Sequence, residues 1–197
     1  MILPVNFFSQ ADKTVAVGWQ SRICALACVK MVLDFELNRT LEIKDLIVEA
    51  LALDGHDERY GWKHESLVKL LRNHGVPAYA QEFRSREYRK VASSFVENST
   101  EGELATFGWR KISESLKKGQ PVIVSVLRQF KQENSFHQVL LVGLEETGEE
   151  VKSLYYLDPE NPPEKSVKPS LVTREDFFKG WRKLSIFTEK VKQFGFF

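Results

Sequence analysis

The chain has 197 residues, 43% of them hydrophobic, with formal net charge +1 from interspersed Lys, Arg, Asp and Glu. That length is enough for one globular domain with a sizeable core, and the near-zero charge argues against a nucleic-acid or polyanion footprint. Two cysteines, Cys24 and Cys28, stand one helical turn apart and exclude a disulfide scaffold. The segment from Met1 to Asn6 has no basic region, long apolar run or small-residue cleavage site, and no stretch approaches the ~18 apolar residues of a membrane span. A cytoplasmic protein is the expectation.

In chain order, Cys24 to Phe35 places Ala27, Cys28, Met31 and Phe35 at helical spacing, so this helix should be central. A second helix is expected over Ile43 to Leu53, with Thr40 as its cap, and a third over Lys63 to Asn73, stopped by Gly75 and Pro77. The polar stretch from Asp54 to Gly61 between them reads as a loop, and the basic cluster from Arg84 to Lys90 as a solvated helix face. A fourth helix is expected from Trp109 to Lys118. The pattern then changes: Pro121 to Leu127, Gln138 to Glu145 and Val151 to Leu157 are rich in branched and aromatic residues and read as strands, the last two joined by a turn at Glu146 to Glu149. Glu160 to Pro169 reads as an irregular loop, Thr173 to Asp176 as the start of a short helix, and Leu184 to Phe187 as a last strand. Helices first and an antiparallel sheet second make an α+β layout, with a cleft where the layers meet.

Cys24 falls where the first helix begins. The N–H groups of a first helical turn have no partners within the helix, and with the macrodipole they favour thiolate, the nucleophilic form, over thiol. A cysteine nucleophile also needs a base and a group to orient it. His137, at the entrance to a strand, is the candidate base, and Asp158, in an Asp-Pro pair after the next strand, could accept a hydrogen bond from its far nitrogen. Asp158 reads equally well as a simple turn residue. Cys28, one turn deeper, is expected to pack in the core. His56, His64 and His74 lie in or near polar loops and helix ends and are expected to be solvent-exposed. A metal held by Cys24, Cys28 and two histidines is disfavoured, because structural zinc draws its cysteines from tighter spacings and no second cluster is visible. Neither a metal nor a cofactor is expected.

The order Cys, His, Asp and its local wording resemble the papain-like bacteriocin-processing, or double-glycine, peptidase family and its stand-alone relatives. The likeness runs through Val5 to Gln10, similar to the family's opening strand ending in Ser-Gln; the helix from Cys24 to Leu33; Gly61 to Leu67 leading a helix that ends at His74 and Gly75; Lys118 to Val124, similar to a G-x-P-V-I-V strand entry; and the His137 strand with the Asp158 turn. It implies a papain-like fold over residues 1–197, a helical layer packed on an antiparallel sheet. It also implies cysteine peptidase activity on a peptide or protein substrate, with Cys24, His137 and Asp158 as the triad. A side-chain amide should help to hold the oxyanion. Gln10 matches the family's wording but requires Ala11 to Trp19 to bulge out, whereas Gln20 is nearer and lacks the motif; Gln10 is preferred. The residue after the nucleophile is usually glycine in the family and is Ala25 here, so a non-peptide amide or acyl-transfer substrate stays open, as does a module that grips peptides without cutting them.

Overall fold

The computed structural model describes residues 1–84, 99–131, 136–163 and 167–190. The expected helix face from Arg84 to Lys90 lies, beyond Arg84 itself, outside the described residues.

Helices α1 (Cys24–Leu37), α2 (Ile43–Ala52) and α3 (His64–Asn73) pack on one another as the first layer. Every residue of α1 from Ala25 to Leu33 is buried, as expected of a helix enclosed on all sides. Each fully buried Leu or Val there contributes about 1.5–3 kcal/mol by leaving water. Lys30 fits only because its stem carries the ammonium out to Asp34, at 2.5 Å, over the ring of Phe8. Helix α2 buries a single stripe, Ile43, Leu46, Ile47 and Ala50, and α3 a broader face of Ser66, Leu67, Val68, Leu70 and Leu71. Thr40 does not cap α2: the helix starts at Ile43 behind an extended Glu42 with no side-chain cap, the approaching chain being fixed by Asp34, which accepts the N–H of Leu41 at 2.8 Å. The loop between α2 and α3 contains a small antiparallel hairpin, β1 (His56–Asp57) and β2 (Gly61–Trp62).

The second layer is a six-stranded antiparallel sheet in the order β3-β8-β4-β5-β6-β7. Its strands are β3 (Ala78–Glu82), β4 (Val122–Leu127), β5 (Phe136–Thr147), β6 (Glu150–Leu157), β7 (Ser170–Thr173) and β8 (Trp181–Thr188). Successive residues of β4 from Val122 to Val126 are all buried, so both faces of the sheet centre are covered. The helices packed most extensively on the sheet centre are α1, against β5, and α4 (Ser99–Lys117), against β4, β5 and β8. Thr173 caps the short α5 (Arg174–Gly180) as expected, accepting the N–H of Asp176.

Several boundaries differ from those read in the sequence. Helix α4 starts ten residues earlier than Trp109 because Gly108 is used for close packing: a Cβ there would meet Trp181 at 2.5 Å and Phe83 at 2.8 Å. The edge strands β3 and β7 are short and carried no clear alternation. Residues Val5 to Gln10 are irregular rather than a strand; the opening segment instead crosses β5 near Gly143, where Leu3 donates to Val142 at 2.7 Å. A side chain at Gly143 would collide with the carbonyl of Met1 at 2.4 Å. Strands β5 and β6 extend further than expected, to Thr147 and from Glu150, and turn through Gly148, whose φ of 64° suits a two-residue hairpin loop.

Candidate active site

Cys24 is the first residue of α1, behind Ile23, whose side chain makes no cap, and no acidic residue occupies the first turn. The thiol is partly exposed and, with Ala25, lines a cleft of about 320 Å³. The start of α1 forms one wall, the β1–β2 hairpin another, and the start of α3 with the ends of β4, β5 and β8 the rest. The hairpin is tied down by Trp62, whose Nε1–H donates to the carbonyl of Arg22 at 2.7 Å, and by ring contacts among Trp19, His56 and Trp62.

His137 is the second residue of β5 and only 3% exposed. Its Nε2–H donates to Asp158 Oδ1 at 2.6 Å, just past the end of β6. The other ring nitrogen is thereby left for the thiol of Cys24, with which His137 also interacts. Burial alone would depress the basicity of this imidazole, but the hydrogen bond to Asp158 and the interaction with Cys24, together with their negative charge, outweigh it, so its pKa is pushed up from 6.5 to about 10. Asp158 Oδ1 also accepts the N–H of Glu160 at 2.9 Å, and the turn is anchored from the N-terminal segment: Gln10 N–H donates to Pro159 O at 2.8 Å and the Ser9 hydroxyl to Asn161 O at 2.7 Å. The structure thus brings Cys24, His137 and Asp158 into one chain of contacts.

The glutamines are placed differently. Gln10 is buried beside the Asp158 turn, with its side-chain Oε1 lacking a partner among the described residues. Gln20 turns back into its own loop, its Nε2 3.5 Å from the carbonyl of Val15. Neither contributes to the described lining of the cleft. Residues 11–22 run largely as turns, held by the N–H groups of Val15, Trp19 and Arg22.

Cys28 is fully buried, and its Sγ–H donates to the carbonyl of Gln138 at 3.6 Å. Burial pushes this thiol well above its ordinary pKa, helped by the negative charge of Cys24 and Asp158, so it serves packing between α1 and β5. Among the described residues the two thiols and the histidines form no metal-like group. One such group has donor atoms within 4.8 Å of one another, His137, Asp158 and Glu160, and Glu160 is held by Arg128 at 2.8 Å.

The histidines expected in solvent are not there. His74 pairs with Glu49 at 2.8 Å and His56 packs among tryptophans. His64 lines the cleft; its Nε2 accepts from the Ser125 hydroxyl at 2.8 Å and the Gln138 amide at 3.2 Å. Burial and the positive charge of Arg182 lower its pKa, so it is neutral at pH 7. Ser125, Gln138 and Arg182 went unnoticed in the sequence because nothing local marks them; only the pairing of Ser125 with Gln138 across β4 and β5 joins them to His64.

The sequence matches the Peptidase_C39-like family over residues 2–186. No curated protein matches it significantly. Three solved structures resemble the fold. A C39-like peptidase from Bacillus anthracis aligns with TM-score 0.63 and 16% identity over 96% of this chain and 97% of its own. The peptidase domain of Streptococcus ComA, a bifunctional ABC transporter in quorum sensing, gives 0.54 and 16% over 93% and 97%. A double-glycine-motif protease from an AMS/PCAT transporter, in complex with its leader peptide, gives 0.52 and 16% over 95% and 93%. With a match across nearly its whole length and a helical layer packed on an antiparallel sheet in the papain-like manner, the chain belongs to the C39-like family of cysteine peptidases.

Proposed function

We propose that residues 1–197 form a single peptidase unit that hydrolyses a peptide bond through a Cys24, His137 and Asp158 triad. The observation that carries this reading is His137, held by Asp158 at 2.6 Å on one side and facing Cys24 at the uncapped start of α1 on the other, in an open cleft.

In the proposed reaction His137 carries the proton of Cys24, and Cys24 Sγ attacks the substrate carbonyl carbon to give a tetrahedral oxyanion. The N–H of Cys24, in a first helical turn whose N–H groups have no partner within the helix, and the side-chain amide of Gln10 are the proposed donors to that oxyanion. Collapse breaks the C–N bond; His137 gives its proton to the departing amine and leaves a thioester on Cys24. Water, deprotonated by His137, attacks the thioester and regenerates the thiol. Asp158 keeps the ring in the tautomer and plane that both transfers need. The leader-peptide complex of the AMS/PCAT neighbour supports a peptide substrate, and a leader peptide as its specific form.

Cys24→Ala should abolish hydrolysis of a cleavable peptide, a loss of about 10^4 to 10^6 in turnover, with the circular dichroism spectrum unchanged. Undiminished hydrolysis by that variant would refute the assignment.

A further inference from the structure

Three arginines away from the cleft, Arg110, Arg128 and Arg174, are each paired with a glutamate carboxylate. Arg22, Arg59 and Arg182 line the cleft, and among the described residues none of them has an ion-pair partner; Glu58 is the one carboxylate in the same lining. Arg182 is the most constrained of the three. On β8, Trp181 pairs with Val126 and Ser185 with Val124, so the residues between them bulge opposite Ser125, and Lys183 takes a φ of 59°. A bulge re-aims the side chains it carries. This one sets the guanidinium of Arg182 at 3.5 Å from the centroid of the Phe136 ring, and Phe136 directly precedes His137.

Arg182 is half-buried; burial and the charge of Arg84 lower its pKa against the opposing charge of Glu82, and its own charge helps to keep His64 neutral. A partly desolvated guanidinium that makes no ion pair among the described residues and sits over an aromatic ring presents N–H groups suited to an incoming carboxylate.

Resting on the peptidase reading above, we propose that the cleft selects substrates bearing a carboxylate next to the scissile bond, received by Arg182 above Phe136, with Arg22 and Arg59 extending the cationic field along the cleft. The carboxylate can belong to an Asp or Glu side chain or to the end of the peptide.

The test has two arms. In the first, matched peptides carry Asp or Glu against Asn or Gln at each position flanking the cleaved bond, with free or amidated C-termini, and kcat/KM is measured for wild type and Arg182→Gln. A preference of about tenfold or more for the carboxylate is expected at one position, falling to within about twofold in Arg182→Gln. A preference for free over amidated ends alone would identify the chain terminus as the source. In the second arm, Cys24 is alkylated by iodoacetate and by iodoacetamide; the ratio of rates should favour the anionic reagent more in wild type than in Arg182→Gln. It should shrink as salt is raised, and Arg182→Lys should preserve part of it. These last two readouts decide the matter if Arg182→Gln does not fold. Cleavage with no carboxylate preference, together with an alkylation ratio insensitive to salt and to Arg182, would overturn the proposal and leave the peptidase reading standing. An Arg182-dependent alkylation preference with no peptide cleaved would do the reverse.

Discussion

His137, at the start of β5, and His64, at the start of α3, face the same cleft and are both largely withdrawn from water, yet they are driven in opposite directions. Burial opposes charge on both rings. At His64 the hydrogen-bonding neighbours are a neutral hydroxyl and a neutral amide, and the charge of Arg182 outweighs that of Glu82, so burial prevails and the ring is neutral. At His137 a carboxylate and a thiol outweigh burial and hold the proton on the ring. The partners therefore decide which histidine can take part in proton transfer.

The sharpest way to break that contrast is to remove the carboxylate. Asp158→Ala should lower turnover by about 10^2 to 10^4, because His137 keeps its place in β5 but loses the acceptor that fixes its tautomer. Asp158→Asn should be milder, since an amide oxygen can still accept from both His137 Nε2 and the Glu160 N–H. Wild-type rates in both variants would reduce Asp158 to a turn residue.

The oxyanion donors come next in size. Gln10→Ala should reduce kcat by about 10^2 to 10^3 with little change in KM, because this interaction strengthens only as charge develops on the oxygen. Gln20→Ala should stay within about threefold of wild type, its amide being turned toward Val15. The reverse order would exchange the two assignments.

The smallest effect is on stability, and its sign differs between the two histidines. His137 has a folded pKa of about 10 against 6.5 when exposed, so its contribution is fully present below pH 6.5 and is lost as pH rises toward 10. The folded pKa of His64 is depressed, so folding must exclude a proton from it, and stability is lost as pH falls below 6.5. Denaturant titrations across this range should show Asp158→Asn flattening the alkaline slope and His64→Gln flattening the acid one. Unchanged slopes would mean that neither ring is linked to folding in this way.

The residues that carry the proposed chemistry were legible because each sits at a local signal: Cys24 at the start of an apolar helix, His137 at the head of a branched strand, Asp158 in an Asp-Pro turn. The three helices and the β4, β5 and β6 strands were legible for the same reason, since their periodicity is strong. His64 was not, because a histidine beside a polar loop looks solvated until the β4–β5 register sets Ser125 and Gln138 against it. Arg182 depends on a bulge at Lys183, a residue with no glycine-like signature for positive φ. The first turns of α4 were hidden by Gly102 and Gly108, poor helix formers on propensity, one of which is retained because Trp181 and Phe83 leave no room for a side chain.

The pairing of Cys24 with His137 is tested most directly by the rate at which iodoacetamide labels Cys24 at pH 6, where an unassisted thiol is almost wholly protonated and Cys28 is buried out of reach. Wild type should label rapidly and at a single site, and His137→Ala should slow that labelling by about 100-fold with the fold intact. Equal rates in the two proteins would contradict the account, because Cys24 would then owe nothing to the histidine that the cleft sets beside it.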